Sequence, residues 1–331
     1  MRTKLLKALA KSYDGYTNFS INNDVYHGII YHYTSPDGFL KILHPKENDN
    51  RKELRLWFTK CDSLNDKEER IHFSKYLKED YCPSRIKNGT LSQSFVEMIE
   101  SLEPSDDQTI FLPNGTVFFS KNQVTSTRLT LKPLPCDTYL CCFSEEPDLL
   151  PMWNYYTKSQ HYEGYNIGFR SEYFQNFILS QGYRLNLNRA IYSSQEKAEL
   201  LDTVLCPLND VFTPDSITED EKMSIQTVAQ SIIDNLQFLF KHPAFQHEKE
   251  VRAILQVPKN SSSPFKKEFR NSNGYIVPYI EYPVPLEAVK EITIAPLLEA
   301  EISKQNIAEM LRERGFGSGI KINTSSIPIR F

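Results

Sequence analysis

The stretch Phe245-Gln-His-Glu-Lys-Glu-Val-Arg-Ala-Ile-Leu-Gln-Val257 alternates between apolar and charged residues with a period of two. Successive side chains of a β-strand point to opposite faces, so this pattern predicts a strand with one apolar and one charged face. The apolar face would carry Val251, Ala253, Leu255 and Val257; the charged face would carry Glu248, Glu250 and Arg252. Two carboxylates roughly 7 Å apart on one strand oppose each other's ionisation unless a cation, a ligand or water relieves them. Both a solvated face, with Arg252 screening the acids, and a functional site fit this pattern.

Length and charge limit the class of protein. The chain has 331 residues, 40% of them hydrophobic, and a formal net charge of −4. This size fits one domain with insertions, and the negative charge argues against bulk nucleic-acid binding as the main role. We expect a single α+β domain over residues 1–331, with an insertion at about residues 83–130. No run of about 18 apolar residues is present, which predicts no membrane span.

The motifs of several enzyme classes are missing from the sequence. None of the six cysteines forms a C-x-x-C pair, so we expect no metal site, and this cysteine pattern favours a reducing cytoplasm. No glycine-rich phosphate loop, Gly-x-Ser-x-Gly elbow or His-Glu-x-x-His helix occurs. Nucleotide triphosphatases, dinucleotide oxidoreductases and the corresponding hydrolases are therefore disfavoured.

Local signals predict helices and strands in irregular order. Gly28–Thr34 is typical of a strand, and Ser35-Pro36 of the start of a short helix. Thr218-Glu-Asp-Glu221 has the form of a capping box that opens a helix through Phe240. Because the elements do not alternate strictly, the pattern favours an α+β fold. Lys266, Lys267 and Arg270 form either a solvated loop or a contact for a phosphate-bearing partner.

Several short motifs occur in order: Tyr31-His-Tyr-Thr-Ser35 before a helix, Leu56-Trp-Phe-Thr59 with Leu64-Asn-Asp66, Cys142-Phe-Ser-Glu145 with Met152-Trp153, Gly164-Tyr-Asn-Ile-Gly-Phe169, and Glu248-Lys-Glu-Val-Arg252. As a set they resemble the bacterial family catalogued as domain of unknown function twenty-nine seventy-one, over roughly residues 28 to 300. That family name implies little about function.

A more distant resemblance is to ADP-ribosyltransferases of the His-Tyr-Glu class, through the histidine strand followed by Thr-Ser and a late Glu-x-Glu strand. It implies a mixed, mainly antiparallel split sheet flanked by helices, with NAD as substrate. His32 would contact the adenosine ribose, Glu250 would be the catalytic glutamate and Glu248 the preceding acid. Tyr155, Tyr156 and Tyr165 compete for the central tyrosine. The other expected cofactor contacts are Tyr33, Thr34, Ser144, Trp153, Tyr156 and Arg252.

The resulting hypothesis is a cytoplasmic enzyme that cleaves NAD and transfers ADP-ribose to a protein or nucleic acid, in antiphage defence or as a toxin. It requires His32 and the two acids to share one pocket, with Arg252 keeping Glu250 ionised. Two alternatives stay open. One is a non-enzymatic module that senses a nucleotide or partner. The other is a metal-dependent nuclease built on Asp62, Asp66, Glu248 and Glu250.

Overall fold

The computed structural model describes residues 2–23, 28–44, 53–63, 68–105, 108–111, 131–157, 163–174, 178–179, 183–259, 264–272 and 274–329. The α-helices in these ranges are α1 (Arg2–Asn22), α2 (Pro36–Ile42), α3 (Glu68–Lys75), α4 (Cys82–Lys87), α5 (Gln93–Glu100), α6 (Leu150–Tyr156), α7 (Ser194–Asn209), α8 (Glu219–Leu236) and α9 (Ala300–Glu313). Shorter 3₁₀ helices span Cys61–Ser63, Ser171–Phe174, Pro243–Glu248 and Leu286–Ala288, and a π-helix spans Tyr76–Tyr81.

The β-strands in the same ranges are β1 (Ile29–Thr34), β2 (Glu53–Lys60), β3 (Gln108–Phe111), β4 (Leu131–Leu134), β5 (Cys136–Ser144), β6 (Tyr165–Arg170), β7 (Ile178–Leu179), β8 (Tyr183–Arg189), β9 (Glu250–Pro258), β10 (Lys267–Ser272), β11 (Tyr275–Pro285), β12 (Val289–Ile294) and β13 (Lys321–Thr324). All pairs are antiparallel except β12 with β13. The predicted α+β class with a mainly antiparallel sheet is confirmed.

The large sheet divides at β5. Eleven of the described strands join it, in the order β10-β11-β2-β5-β1-β6-β12-β13, and β9 connects β5 to β8. One edge of β5 pairs with β9 from Cys136 to Ser144. The other edge is shared, because Leu140 pairs with Thr59 of β2 and Ser144 pairs with Tyr31 of β1. The sheet is therefore split between β1 and β2.

Helix caps follow the sequence signals. Ser35 accepts a hydrogen bond from Gly38 N–H, and Pro36 is the first residue of α2. Thr218 and Glu221 form the predicted capping box of α8. That helix ends at Leu236, earlier than the predicted Phe240.

Each face of the sheet packs against its own hydrophobic core. Val251, Ala253 and Leu255 of β9 lie in the core that also contains Phe39 of α2 and Ile307 of α9. Ile254 of β9 lies in the other core, which is formed mainly with α1, α5, α7 and α8. Every residue of β9 is buried. The strand's alternation is thus confirmed, but a solvated charged face is wrong because helices cover both sides.

The proposed insertion is only partly described. Phe95, Val96 and Ile99 of α5 pack in the same core as α7 and α8, and β3 pairs with β4. The predicted turn at Asn114-Gly115 and the Asn65-Asp66 turn lie outside the described residues. A single domain over the whole chain stays a prediction.

Truncation of a β9 residue should test this double burial. Ile254 is 4% exposed, whereas Ile302 on α9 is 60% exposed. We expect Ile254→Ala to lower the free energy of unfolding by about 2–5 kcal/mol, because it leaves a cavity in the core. Ile302→Ala, which deletes the same atoms at the surface, should change it by no more than about 0.5 kcal/mol. Urea denaturation measures both, and equal effects would contradict the burial of β9.

Candidate functional site

The two glutamates of the Glu-Lys-Glu motif lie in different elements. Glu250 is the first residue of β9, whereas Glu248 ends the 3₁₀ helix Pro243–Glu248. Between them Lys249 adopts a left-handed conformation with φ of 45°. The prediction that both acids lie on one strand is therefore wrong for Glu248. The left-handed turn nevertheless brings both carboxylates to the same cation.

That cation is the ammonium of Lys241, which follows Phe240 before the 3₁₀ helix. Its Nζ donates to Glu248 Oε2 at 2.5 Å and to Glu250 Oε2 at 2.8 Å. Glu248 is 5% exposed and Glu250 is 4% exposed. A buried carboxylate is stable only when it is paired and hydrogen-bonded, so Lys241 makes the burial of this acid pair possible.

Arg252 is the second cation at Glu250. Its Nη2 donates to Glu250 Oε2 at 2.9 Å and its Nη1 donates to the Phe238 carbonyl at 2.7 Å. The expected pairing of Arg252 with Glu250 is confirmed. Both cations contact Oε2 of Glu250. The hydroxyl of Tyr192 accepts a hydrogen bond from Glu250 N–H and fixes the start of the strand.

The two acids differ in charge state. Burial by itself raises the pKa of Glu250, but Arg252 and Lys241 more than reverse this and lower the pKa to about 2. Burial raises the pKa of Glu248, and Lys241 only partly offsets it. Glu250 is therefore a fixed anion at neutral pH, and Glu248 is the first of the two to take up a proton on acidification.

Glu250 lines an open cavity of about 420 Å³ at the ends of β5, β8 and β9. The volume lies within the range typical of small-molecule sites. Its other lining residues are mostly polar or charged: Glu145, Glu146, Arg189, Ala190, Tyr192, Gln246 and Lys249.

Two ion pairs border this cavity. Arg189 Nε donates to Glu145 Oε1 at 2.7 Å, which joins β8 to the segment after β5. Lys249 Nζ contacts Glu146 Oε1 at 2.5 Å, which joins the same segment to the turn before β9. Glu146 and Glu145 raise the pKa of Lys249, so its ammonium is charged. Three carboxylates and two cations thus line the cavity, which suits a polar ligand that carries positive charge.

His32 does not join this site. Tyr31 pairs with Ser144, and Ser144 pairs with Glu250, so these three residues share one face of the sheet. His32 lies on the opposite face, where its ring contacts Phe143 edge-on at 5.6 Å. Its Nδ1 is 3.1 Å from the Cys142 carbonyl oxygen, and burial lowers its pKa. The expectation of one pocket shared by His32 and the glutamates is therefore wrong. His32 directly follows Tyr31 in the strand, and adjacent side chains of a strand point to opposite faces of the sheet.

Trp153 and Tyr33 belong to a small buried core. Trp153 is 0% exposed, and its ring meets the Tyr33 ring edge-on at 4.7 Å. Trp153 Nε1 donates to Asp148 Oδ1, and the Tyr33 hydroxyl donates to the Glu146 carbonyl. A stacking role for Trp153 against a ligand ring is wrong, because the protein covers both of its faces.

The other expected cofactor residues have different environments. Ser144 is buried; its hydroxyl donates to the Glu248 carbonyl and accepts from Glu146 N–H, so it ties the segment after β5 to the acid pair. Thr34 is partly buried at the end of β1. Tyr156 is 37% exposed on α6. None of these three lines the Glu250 cavity.

The sequence interpretation missed Lys241, Tyr192, Arg189 and the acids of Glu145-Glu146. Lys241 stands alone between Phe240 and His242, with no charged neighbour that would mark it. The role of a buried lysine that has no motif around it can be recognised only from the structure, which shows the acids that it contacts. Arg189 likewise reaches the site through the pairing of β8 with β9.

Two other features are absent from the part of the chain that the structure describes. Within those ranges, no three or more His, Cys, Asp or Glu side chains are grouped as a metal site. No helix in the same ranges is long and apolar enough to cross a membrane. Asp66 of the nuclease hypothesis lies outside them.

A family model described as "Protein of unknown function (DUF2971)" matches residues 152–253. Over this stretch the chain is similar to that family. The matched residues make up about a third of the chain and include Lys241, both glutamates and Arg252. The expected resemblance to this family is confirmed over residues 152–253 and not over the whole of residues 28 to 300, because the motifs at Tyr31–Ser35 and Leu56–Thr59 precede the matched stretch. No curated protein and no solved structure matches the chain.

The opposite pKa shifts of Glu250 and Glu248 predict that the two carboxyl groups contribute to stability in opposite pH ranges. Glu250 has a folded pKa below its ordinary 4.5, so its stabilisation is present above that pH and is lost as the pH falls toward 2. Glu248 has a raised pKa, so its contribution is fully present below its ordinary value and is lost as the pH rises through the folded pKa. Relative to wild type, we expect Glu250→Gln to lower the free energy of unfolding by about 3–5 kcal/mol near neutral pH, and by less as the pH falls. We expect the loss of stability caused by Glu248→Gln to grow as the pH falls. Urea denaturation across pH measures both, and parallel pH profiles would contradict the two charge states.

The left-handed turn at Lys249 gives a second prediction. Lys249→Gly and Lys249→Ala remove the same ammonium, but only glycine adopts a positive φ without steric cost. We expect the glycine variant to be more stable than the alanine variant by about 1 kcal/mol. Thermal unfolding of the two proteins tests this, and an alanine variant as stable as the glycine variant would rule out backbone strain at this position.

Proposed function

We propose that the protein is an ADP-ribosyltransferase-like enzyme that cleaves NAD at Glu250 and transfers ADP-ribose to a protein or nucleic acid. The observation that carries this proposal is a buried glutamate, bonded to two cations, at the wall of an open cavity. Its oxygen Oε2 is held by Lys241 and Arg252, so the position of the carboxylate is fixed.

The reaction creates positive charge that such a carboxylate can stabilise. When the bond between nicotinamide and ribose C1′ breaks, its electron pair leaves with the ring nitrogen, and the ribose becomes oxocarbenium-like. A fixed anion nearby lowers the energy of that state, especially when it also accepts a hydrogen bond from a ribose hydroxyl. The acceptor nucleophile then forms the new bond to C1′ and loses its proton.

The charge of the cavity supports the same ligand. The nicotinamide ring of NAD is a cation, and Glu145, Glu146 and Glu250 all line the cavity. Arg189 and Lys249, which line it as well, offset part of that negative charge. Glu248 does not line the cavity, so we assign it to the support of Lys241 and not to the acceptor. His32 has no role in this proposal because it lies on the other face of the sheet.

The alternative is a binding module without catalysis. It is favoured by the number of contacts to Glu250, since two cations share one of its oxygens and the strand around it is fully buried. In that case the same cavity would hold a cationic ligand and leave it unchanged.

We propose the cytoplasm as the site of action. The described cysteines form no disulfide bond, and Cys61, Cys82, Cys136 and Cys141 are buried. Thiols that are not joined in disulfides suit a reducing compartment. A role in antiphage defence or as a toxin is part of the same proposal.

The test is nicotinamide release and label transfer from adenine-labelled NAD, with and without cell extract. We expect Glu250→Gln to reduce turnover at least about 100-fold, because the developing charge loses its counter-ion. The matched control is Asp234→Asn, which removes another buried carboxylate that bonds Ser105 and Gln230 outside the cavity. The folded fraction of that control should keep its activity.

Three outcomes separate the proposals. Wild-type turnover that Glu250→Gln abolishes supports the enzyme. NAD binding that depends on Glu250 without turnover supports the binding module. If the wild type neither binds NAD nor turns it over, with or without extract, both uses of this cavity for NAD are overturned.

A further inference from the structure

Two cations converge on one tryptophan away from the Glu250 cavity. The Lys41 ammonium of α2 lies 5.6 Å from the Trp57 ring centroid, and the Arg270 guanidinium of β10 lies 5.4 Å from it. Arg270 also lies 6.0 Å from the ring of Tyr279 on β11. We call Lys41, Trp57, Thr59, Arg270 and Tyr279 the Trp57 platform. None of these residues lines the Glu250 cavity.

Arg270 is held by neutral groups. Its Nη2 donates to Thr59 Oγ1 at 2.7 Å, and its Nε is covered by the protein without an acceptor. Burial lowers the pKa of Arg270, and no carboxylate is among the groups that act on that pKa. A half-buried guanidinium without an acid is costly, because buried charges are normally paired.

The nearby acids have other contacts. Within the described ranges, neither Lys41 nor Arg270 forms an ion pair with a carboxylate. Glu268, two residues from Arg270 on the same strand face, forms an ion pair with Lys266. Glu281 lies opposite Trp57 across β2 and β11, and with Glu268 it acts on the Tyr279 hydroxyl, whose pKa is raised first by burial. Among the residues that the structure describes, the two positive charges of the platform therefore have no carboxylate counter-ion.

We infer that the Trp57 platform binds the phosphate groups of a small phosphorylated ligand, with Lys41, Thr59 and Arg270 as its contacts. Arginine offers phosphate a planar fork, and lysine offers it a point charge. The Thr59 hydroxyl accepts from Arg270, so its own proton remains to donate to a phosphate oxygen. The platform supplies more than one positive charge, which matches a phosphate better than a single carboxylate.

The platform lies beside the split in the sheet. Thr59 pairs with Leu140, four residues along β5 from Ser144, which pairs with Glu250. Four residues of a strand span roughly 14 Å. The phosphate could therefore belong to the ligand of the Glu250 cavity or to a separate nucleotide. The inference does not depend on NAD cleavage, because it rests on residues that the cavity does not use.

Isothermal titration calorimetry of the full chain with inorganic pyrophosphate and with ADP tests this site. We expect Arg270→Gln to weaken binding of both probes by about 10-fold or more, the scale of one charge-assisted hydrogen bond. Lys41→Gln should weaken it by a smaller factor, and Arg270→Lys should recover part of the loss. The control Arg55→Gln removes a cation from the same strand, β2, that is paired with Glu53; it should change affinity less than about 2-fold.

Each outcome decides the matter. Loss in the Arg270 and Lys41 variants, with Arg55→Gln unchanged, supports the platform. Equal losses in all three would show non-specific attraction and overturn it, as would no binding of either probe at millimolar concentration by folded wild type. Competition between NAD and pyrophosphate would assign the phosphate to the cavity's ligand; simultaneous binding would assign it to a separate nucleotide.

Discussion

The ammonium of Lys241 contacts two buried carboxylates that come from different elements. Without it, Glu248 and Glu250 would be like charges in a region that water hardly reaches. Lys241 also depends on its own support, because Lys197 Nζ donates to the Lys241 carbonyl at 2.7 Å. Burial lowers the pKa of Lys197 to about 8. Removal of one member of such a network is strongly destabilising, because it leaves a buried charge without compensation.

The sheet decides which side chains can cooperate with this cluster. Because β5 pairs with β9 along its whole length, Ser144, Arg252 and Glu250 are fixed on one face. The same register places Phe143 and His32 on the other face. A proposal built on Glu250 must therefore find its remaining contacts among Arg189, Lys249 and the acids after β5, which the cavity brings together.

The sequence predicted the features that follow from local pattern. Alternation predicted β9 and its apolar face, and Thr218 with Glu221 predicted the start of α8. It could not show that helices cover the charged face, since an alternating strand is equally typical of a solvated edge. The predicted position of His32 was wrong for a related reason. A shift of one residue moves a side chain to the other face of the sheet, and strand register depends on pairing with distant strands. Lys241 was missed because its partners are set by the turn at Lys249, where a non-glycine residue adopts a positive φ.

The central claim is that Glu250 is an anion in the folded protein, held by Lys241 and Arg252. Carbon-13 NMR of the glutamate side-chain carboxyl groups measures this directly, with the Glu250 signal assigned by its loss in Glu250→Gln. We expect this signal to stay at the ionised position as the folded protein is acidified well below the ordinary glutamate pKa of 4.5. A midpoint at or above that value would contradict it.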